Sequence, residues 1–446
     1  MSPANLQSVS ARTSENRPPA AGDEPAAADP LAQPTTACRG AGGQRAWGIE
    51  RWLAHRLLRA IGRPPIRLVL CDGQEISESA VAPVARILFR DRATFWKVLL
   101  NPSLQFGDAY SDGRLEVEGD LVAFLEAVHR ARIAAGTTGS RLPVALLHGM
   151  HRAQANTRAA ARENIHHHYD IGNDFYRLWL DNEMIYSGAY FPTADTTLED
   201  AQRAKLHYVC RKLRLTPGET VVEVGGGWGA LALLLARDYG VTVKSFNISK
   251  SQILHARRRA KAEGLDSRVE FIEDDYRNIS GRFDALVSLG MLEHVGARHY
   301  REFGQMMHRC LGPSGRGLIQ SIGQDQPSDT NPWIDRRIFP GAYPPTLREM
   351  SDLFEPSGFS IIDVENLRLH YAQTLHHWLE RFEASAERVA GMFDARFVRM
   401  WRLYLAGSCA AFAGGALQLF QVVFARPGMN EIPWTRSGLY TAETGP

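Results

Sequence analysis

Residues 221–230 read VVEVGGGWGA. An apolar run ends on four glycines, Gly225, Gly226, Gly227 and Gly229, within five positions. A tight turn needs only one or two glycines to reach positive φ. This density instead describes a turn whose main chain is approached closely by something else. A strand, a glycine turn and the apolar helix WGALALLLARDY form the arrangement in which open α/β sheets bind nucleotide-like ligands, at the carboxyl ends of their strands. A dinucleotide site adds an acid roughly 20 residues further on. That position reads SFNIS, with Asn247 where the acid would stand. NAD is therefore disfavoured, and the adenosyl group of S-adenosylmethionine (SAM) better matches the G-x-G-x-G spacing.

Outward from the loop, strand and helix patterns alternate from about residue 161. TVVEV, WGALALLLARDY, VTVKSF, KSQILHARRRAKAEG, RVEFIE, FDALVSL and GRGLIQSI follow in order. Strands separated by helices predict an α/β fold with a largely parallel sheet covered on both faces. Residues 375–412 read as mostly helical and LQLFQVVFA as a final strand. Upstream, residues 66–128 predict a small α+β unit. IRLVLCDG and ARILFRD read as strands, FWKVLLN and DLVAFLEAV as helices, and GDAYSDGRLEVEGD carries Gly and Asp at turn positions. The expected organisation is a disordered Ala- and Pro-rich tail over 1–46, an amphipathic helix and small domain over 47–131, a linker over 132–160, a main domain over 161–427 and a C-terminal tail over 428–446.

The 446 residues are 44% hydrophobic and 22% charged, which is ordinary for a soluble protein of two or three domains. A net charge of +2 gives no global attraction to nucleic acid. Cys38, Cys71, Cys210, Cys310 and Cys409 show no paired spacing and read as reduced thiols of a cytoplasmic protein. No apolar run approaches the ~18 residues of a spanning helix, so membrane contact would be peripheral, at the inner face of the cell membrane. In QRAWGIERWLAHRLLRAIG, Trp47, Ile49, Trp52, Leu53, Leu57, Leu58 and Ile61 recur at helical spacing among Arg45, Arg51, Arg56 and Arg59. Such a helix suits the headgroup layer of an anionic membrane, and equally a helix packed on its own domain.

Eight segments then occur in a telling order: HHHYDIGNDFYRLWLD, MIYSGAYF, AQRAKL, VEVGGGWGALA, DDYRN, GMLEHVG, DTNPWIDRRIFPGAYPPTLREM and LQLFQVVF. Together, over about residues 66–426, the chain resembles the cyclopropane-fatty-acyl-phospholipid synthases and the related mycolic acid methyltransferases. The resemblance implies a SAM-dependent methyltransferase fold, a Rossmann-like sheet with helices on both faces, preceded by a small α+β lipid-associated domain. It implies attack of an acyl-chain alkene on the activated methyl, with a cyclopropane, or a methyl or methylene branch, as product. The implied partners are unsaturated phospholipid acyl chains and the membrane surface, with a homodimer as the candidate assembly. A non-catalytic SAM- or lipid-binding relative, or a methyltransferase of a soluble molecule, remains the alternative.

Carried over motif by motif, Tyr186 and Ser187 would approach the methionine end of SAM. Glu223, Gly225 and Gly227 would belong to the loop beneath it. Asn247, Ile248 and Gln252 would sit at the ribose and adjacent groups, and Tyr276 and Arg277 would flank the adenine. Glu293, just after FDALVSL, falls at the ligand edge of the sheet. Tyr371 matches the tyrosine of the family's bicarbonate site, to which Gly188, Gln320, Ile322 and Ser408 also correspond. There are departures. Gly188 replaces a cysteine and keeps its N–H. Gln320 replaces a histidine and carries no positive charge. Ser408 replaces a cysteine, with Cys409 one residue on. Ala413 replaces an arginine, and Gly226 a cysteine. The expectation is a weakened bicarbonate site, with Glu293 accepting the proton directly or through water. His166, His167 and His168 would point in different directions, so no metal cage is expected.

Overall fold

The structure, a computed structural model, describes residues 48–136 and 171–440. The expected N-terminal tail, Trp47, nearly all of the linker and the three consecutive histidines lie outside the described residues.

The small unit opens with α1 (Gly48–Ala60). It continues through β1 (Ile66–Val69), β2 (Glu75–Ile76), β3 (Ala85–Phe89), α2 (Arg92–Leu100), α3 (Pro102–Ser111), β4 (Leu115–Gly119) and α4 (Leu121–Ala134). Its sheet order is β2-β1-β3-β4, with β1 and β3 parallel. Local chemistry sets the helix starts. The Asp91 and Asp120 carboxylates accept from Thr94 N and Ala123 N, and Pro102 opens α3. The stretch GDAYSDGRLEVEGD holds more than turns: its first half completes α3 and LEVEG is β4. Its glutamates hide the strand, because Glu116 pairs with Arg90 and Arg399, and Glu118 with Arg86.

Helix α1 packs one face on its own domain and leaves an apolar and basic side exposed. Ala54 and Leu58 are fully buried against the small unit, while Ile49 and Trp52 are about half exposed, at 53% and 54%. Arg51 and Arg56 share the exposed side, and the Arg56 guanidinium lies 4.8 Å from the Trp52 ring centroid.

The main unit holds seven strands: β5 (Thr220–Val224), β6 (Thr242–Asn247), β7 (Val269–Glu273), β8 (Phe283–Leu289), β9 (Leu311–Gly323), β10 (Ser360–Asn366) and β11 (Gln418–Ala425). Their order is β10-β11-β9-β8-β5-β6-β7. Strands β5 to β9 pair in parallel, and β11 inserts antiparallel between β9 and β10. The chain therefore leaves β5 toward β6 on one side and returns to β8 on the other. The glycine loop stands at that switch point, where such sheets open a crevice.

The longer helices are α5 (Leu198–Leu213), α6 (Ala230–Asp238), α7 (Lys250–Ala262), α8 (Tyr300–Cys310), α9 (Pro332–Arg337), α10 (Leu347–Phe354), α11 (Arg368–Ala384), α12 (Ala386–Met392) and α13 (Ala395–Ala413). Each sheet face has its own apolar core, one around Val221, Leu235 and Val243, the other around Leu286, Phe303 and Phe424. A third cluster joins Trp179, Trp378 and Trp401 to Phe95, Tyr110 and Phe124 of the small unit. Arg399 on α13 fastens this junction, lying 4.3 Å over the Tyr110 ring and donating to the Tyr110 carbonyl. Among the described residues, no helix is long and apolar enough to cross a membrane.

Candidate active site

The glycine turn is shaped from within. Gly225 has φ +89, and its N–H donates to the Phe246 carbonyl at 2.8 Å. A Cβ here would lie 2.9 Å from Met291 Cβ, so Met291, rather than ligand space, faces this glycine. At Gly226 a Cβ would come within 1.9 Å of Ser245 Oγ and 2.7 Å of Glu223 Oε2, so these two side chains fill the space below the turn. A Cβ on Gly227, φ +51, would meet nothing within 4 Å. That face is the open cradle.

Asn247, at the end of β6, ties the cradle to α7. Its Nδ2 donates to Gly227 O at 3.3 Å and to Gln252 Oε1 at 2.7 Å, and its Oδ1 accepts from Ser249 N. Ile248 follows, half-buried. Beyond β7, Tyr276 packs against Phe303 at 5.0 Å between ring centroids. Arg277 donates to Asp275 Oδ1 and lies 5.1 Å over the Tyr276 ring. An open glycine cradle beside a polar amide pair has the shape and polarity that suit an adenosyl group.

The opposite side carries a buried charged cluster. Ser187 Oγ accepts from Lys205 Nζ at 3.0 Å, and its carbonyl accepts from Gln202 Nε2 at 2.9 Å. Lys205 is 1% exposed, and burial brings its ammonium down to about 8 against the pull of Asp181 and Glu223. Burial raises Glu223 to about 7, opposed by the Ser245 hydrogen bond and Lys205. Asp181 rises to about 6 for the same reason, opposed by the Ile185 and Glu183 backbone N–H groups. Gln202 and Lys205 stand in the segment AQRAKL, whose spacing puts both on one helix face. Sequence reasoning gave them no role, and Asp181 and Ser245 carried no signal. Tyr186 shares a 2.6 Å hydroxyl contact with Tyr404. Its ring joins a wall with Tyr176, Trp179 and Trp378, at 5.3–5.5 Å between centroids.

Glu293 lies in a short 3-10 turn after β8, 5% exposed. Its Oε1 accepts from Ile322 N, so that main-chain donor is engaged by Glu293. Its Oε2 is buried without a hydrogen-bond partner among the described residues. Burial pushes the carboxyl up to about 7, opposed by the Glu293 and Ile322 main-chain N–H groups and by the Ser321 side chain. The adjoining His294 is pushed down to about 4 by burial, so it stands neutral beside the acid. Gly188 permits a close approach, since a Cβ here would lie 2.8 Å from Leu419 Cδ2 and 3.0 Å from Tyr371 Cγ. Tyr371 in turn packs on Phe412 at 4.5 Å.

Gln320 is 1% exposed, and its Oε1 accepts from Gln421 Nε2 at 2.8 Å. Ser408 is the outlier: it is half-buried on α13, and its hydroxyl makes no hydrogen bond among the described residues. The thiol that faces α11 is Cys409, 3.4 Å from the Ala372 carbonyl. Among the described residues, no group of three or more His, Cys, Asp or Glu is placed to hold a metal ion.

A buried carboxylate near neutral pKa, with one free oxygen, is equipped to accept a proton. The aromatic wall is apolar and its rings carry the π faces that attract positive charge.

Comparison with known proteins identifies the family. The family model described as mycolic acid cyclopropane synthetase matches residues 156–422, and a family of unknown function matches residues 53–135. A Pseudomonas putida protein named a probable fatty acid methyltransferase is 37% identical over 84% of this chain and 96% of its own. The cyclopropane-fatty-acyl-phospholipid synthase of Escherichia coli is 38% identical over 74% of this chain and 85% of its own. The tuberculostearic acid methyltransferase of Mycobacterium tuberculosis is 33% identical over 84% and 91%. Among solved structures, a mycolic acid cyclopropane synthase complexed with SAH and CTAB superposes with a TM-score of 0.57 at 29% identity, covering 59% of this chain and 98% of that one. With a glycine cradle at the switch point, a buried acid at the sheet's ligand edge and matches of this extent, the chain is a SAM-dependent methyltransferase of the mycolic acid cyclopropane synthetase family.

Proposed function

We propose that this enzyme methylates the double bond of an unsaturated acyl chain, carried by a membrane phospholipid, and that Glu293 removes the proton that completes the reaction. The observation that carries the reading is the buried Oε2 of Glu293, without a hydrogen-bond partner among the described residues, in the turn that follows β8 at the ligand edge of the sheet. When bound, SAM supplies an electrophilic methyl group. The protein's part is to hold and to shield. Asn247 and Gln252 orient the ribose side, and Ser187, braced by Lys205 and Gln202, borders the methionine side. An alkene offers no polar handle, so Tyr186, Trp179 and Trp378 hold it by shape and dispersion. Alkene attack on the methyl leaves positive charge on the chain, which the aromatic faces and the Glu293 carboxylate stabilise. Loss of a proton from the new methyl to Glu293, followed by ring closure, gives a cyclopropane. Loss from the chain gives a branch.

The mass of fatty acids from cells expressing the protein tests this. Unsaturated chains should gain one CH2 unit. Unchanged acyl masses, with SAM consumed on a soluble molecule, would overturn the substrate class.

The small N-terminal unit fits a role in reaching the lipid. Ile49, Trp52, Arg51 and Arg56 share the outer side of α1, whereas Arg59 is engaged with Glu78 at 2.9 Å. Each arginine at an anionic surface contributes about 1 kcal/mol, lessened by salt. Arg51→Gln with Arg56→Gln should therefore weaken binding to phosphatidylglycerol vesicles by about 30-fold. Trp52→Ala should weaken it further. Sedimentation showing unchanged vesicle binding would leave α1 a purely structural helix.

A further inference from the structure

From β9 across β11 to α5 runs a line of buried polar side chains that no step above uses. Gln320 on β9 and Gln421 on β11 are direct register partners. Lys212, on α5 and 6% exposed, donates through Nζ to Gln421 Oε1 at 2.6 Å. The same ammonium pairs with Glu365 on β10, which also accepts from the Tyr208 hydroxyl at 2.9 Å.

This order leaves no freedom in how the two amides are turned. An ammonium only donates, so the Gln421 atom facing Lys212 is the carbonyl oxygen. Its NH2 group therefore faces Gln320, which must answer with its own carbonyl. What remains of Gln320 is the NH2 group, buried and without a partner among the described residues. Side chains two apart on a strand share a face. Gln320 thus lies on the face of Ile322, and Gln421 on that of Leu419, the residue that presses on Gly188 beside Tyr371. A glutamine alone can turn either end to a ligand; here it can only donate.

We propose that Lys212 is a positioning residue that acts through Gln421 to fix Gln320 as a hydrogen-bond donor for a small oxyanion, such as bicarbonate, in the reaction chamber. The inference rests on the function proposed above. It also alters the consequence of having glutamine at position 320: the site lacks an imidazolium, yet its donor is locked in place by a cation one residue removed.

The test uses the full chain loaded with SAH and probed with 13C-bicarbonate. Line broadening reads bicarbonate affinity, calorimetry reads SAH affinity, and thermal melting checks the fold. The parent should bind bicarbonate. Lys212→Met and Gln421→Leu should each weaken it about tenfold, equivalent to ~1.4 kcal/mol, with SAH affinity unchanged. Lys212→Arg, which also only donates, should restore most of the loss. Gln421→Leu leaves Lys212 paired with Glu365, so it carries the test if Lys212→Met fails to fold. Unchanged bicarbonate affinity in either folded variant would reduce Lys212 to a structural role. A parent that binds SAH but no bicarbonate would overturn this inference and leave the methyltransferase standing. A parent that binds no SAH would instead defeat the reading on which it rests.

Discussion

Glu293→Gln should yield a folded protein that still binds SAM and turns over about 10²–10⁴-fold more slowly, the usual contribution of a positioned general base. Glutamine keeps an oxygen for the Ile322 N–H but has no basic site. The parent's activity should rise with pH through about 7, where the buried carboxyl ionises, and the variant's residual activity should not. Stability should move the other way. Burial raises Glu293 from 4.5 to about 7, so the folded state holds its proton more tightly than the unfolded state. That advantage is complete below the unfolded value and lost as pH rises through about 7. Above it, the parent buries a charge that glutamine does not carry. Melting curves should therefore find Glu293→Gln more stable than the parent at pH 9, by up to about 3 kcal/mol, with the gap closing toward pH 5. Full turnover in the variant would remove Glu293 as the base.

Gly225→Val should weaken SAM binding beyond the ~100-fold that corresponds to ~2.7 kcal/mol. Two effects add. A β-branched residue at φ +89 is strained by more than the ~1–2 kcal/mol of an ordinary left-handed residue. Its Cβ would also press on Met291 at 2.9 Å and push the turn out of line with the cradle. Gly218→Val is the control. That glycine has φ +90 with nothing within 4 Å of its Cβ position, so the variant bears the backbone strain away from the site. Calorimetry should find SAM affinity lost in the first and kept in the second. Equal losses would mean that global strain, and not the shape of the turn, governs binding.

Much of the architecture was legible because it repeats a simple code: apolar strand, turn, amphipathic helix. The strands that escaped are those whose exposure hides that code. β10 reads SIIDVEN and is half polar because it is an edge strand. β4 alternates valine with glutamates whose arginine partners lie on other elements. In the site, the glycine loop and Glu293 could be placed because each adjoins a strand end. Gly225 lies in the turn, but the side chain it accommodates is Met291, which comes from the loop after β8. The Lys205, Asp181 and Glu223 cluster, and the Lys212, Gln421 and Gln320 line, are assembled across the sheet. Nothing in local spacing announces them. Ser408 and Cys409 show the sensitivity of helix register: one residue turns a side chain by about 100°, and Cys409 is the one that meets α11.

The most direct test of the account is the product formed by purified enzyme from SAM bearing a trideuterated methyl group and an unsaturated phospholipid in vesicles. If Glu293 draws the proton from the new methyl and the ring closes, the isolated chain gains one CD2 unit, and NMR shows a cyclopropane. A chain that keeps all three deuterons would show that the proton is taken from elsewhere, and an unlabelled chain would show that the acyl double bond is not the acceptor.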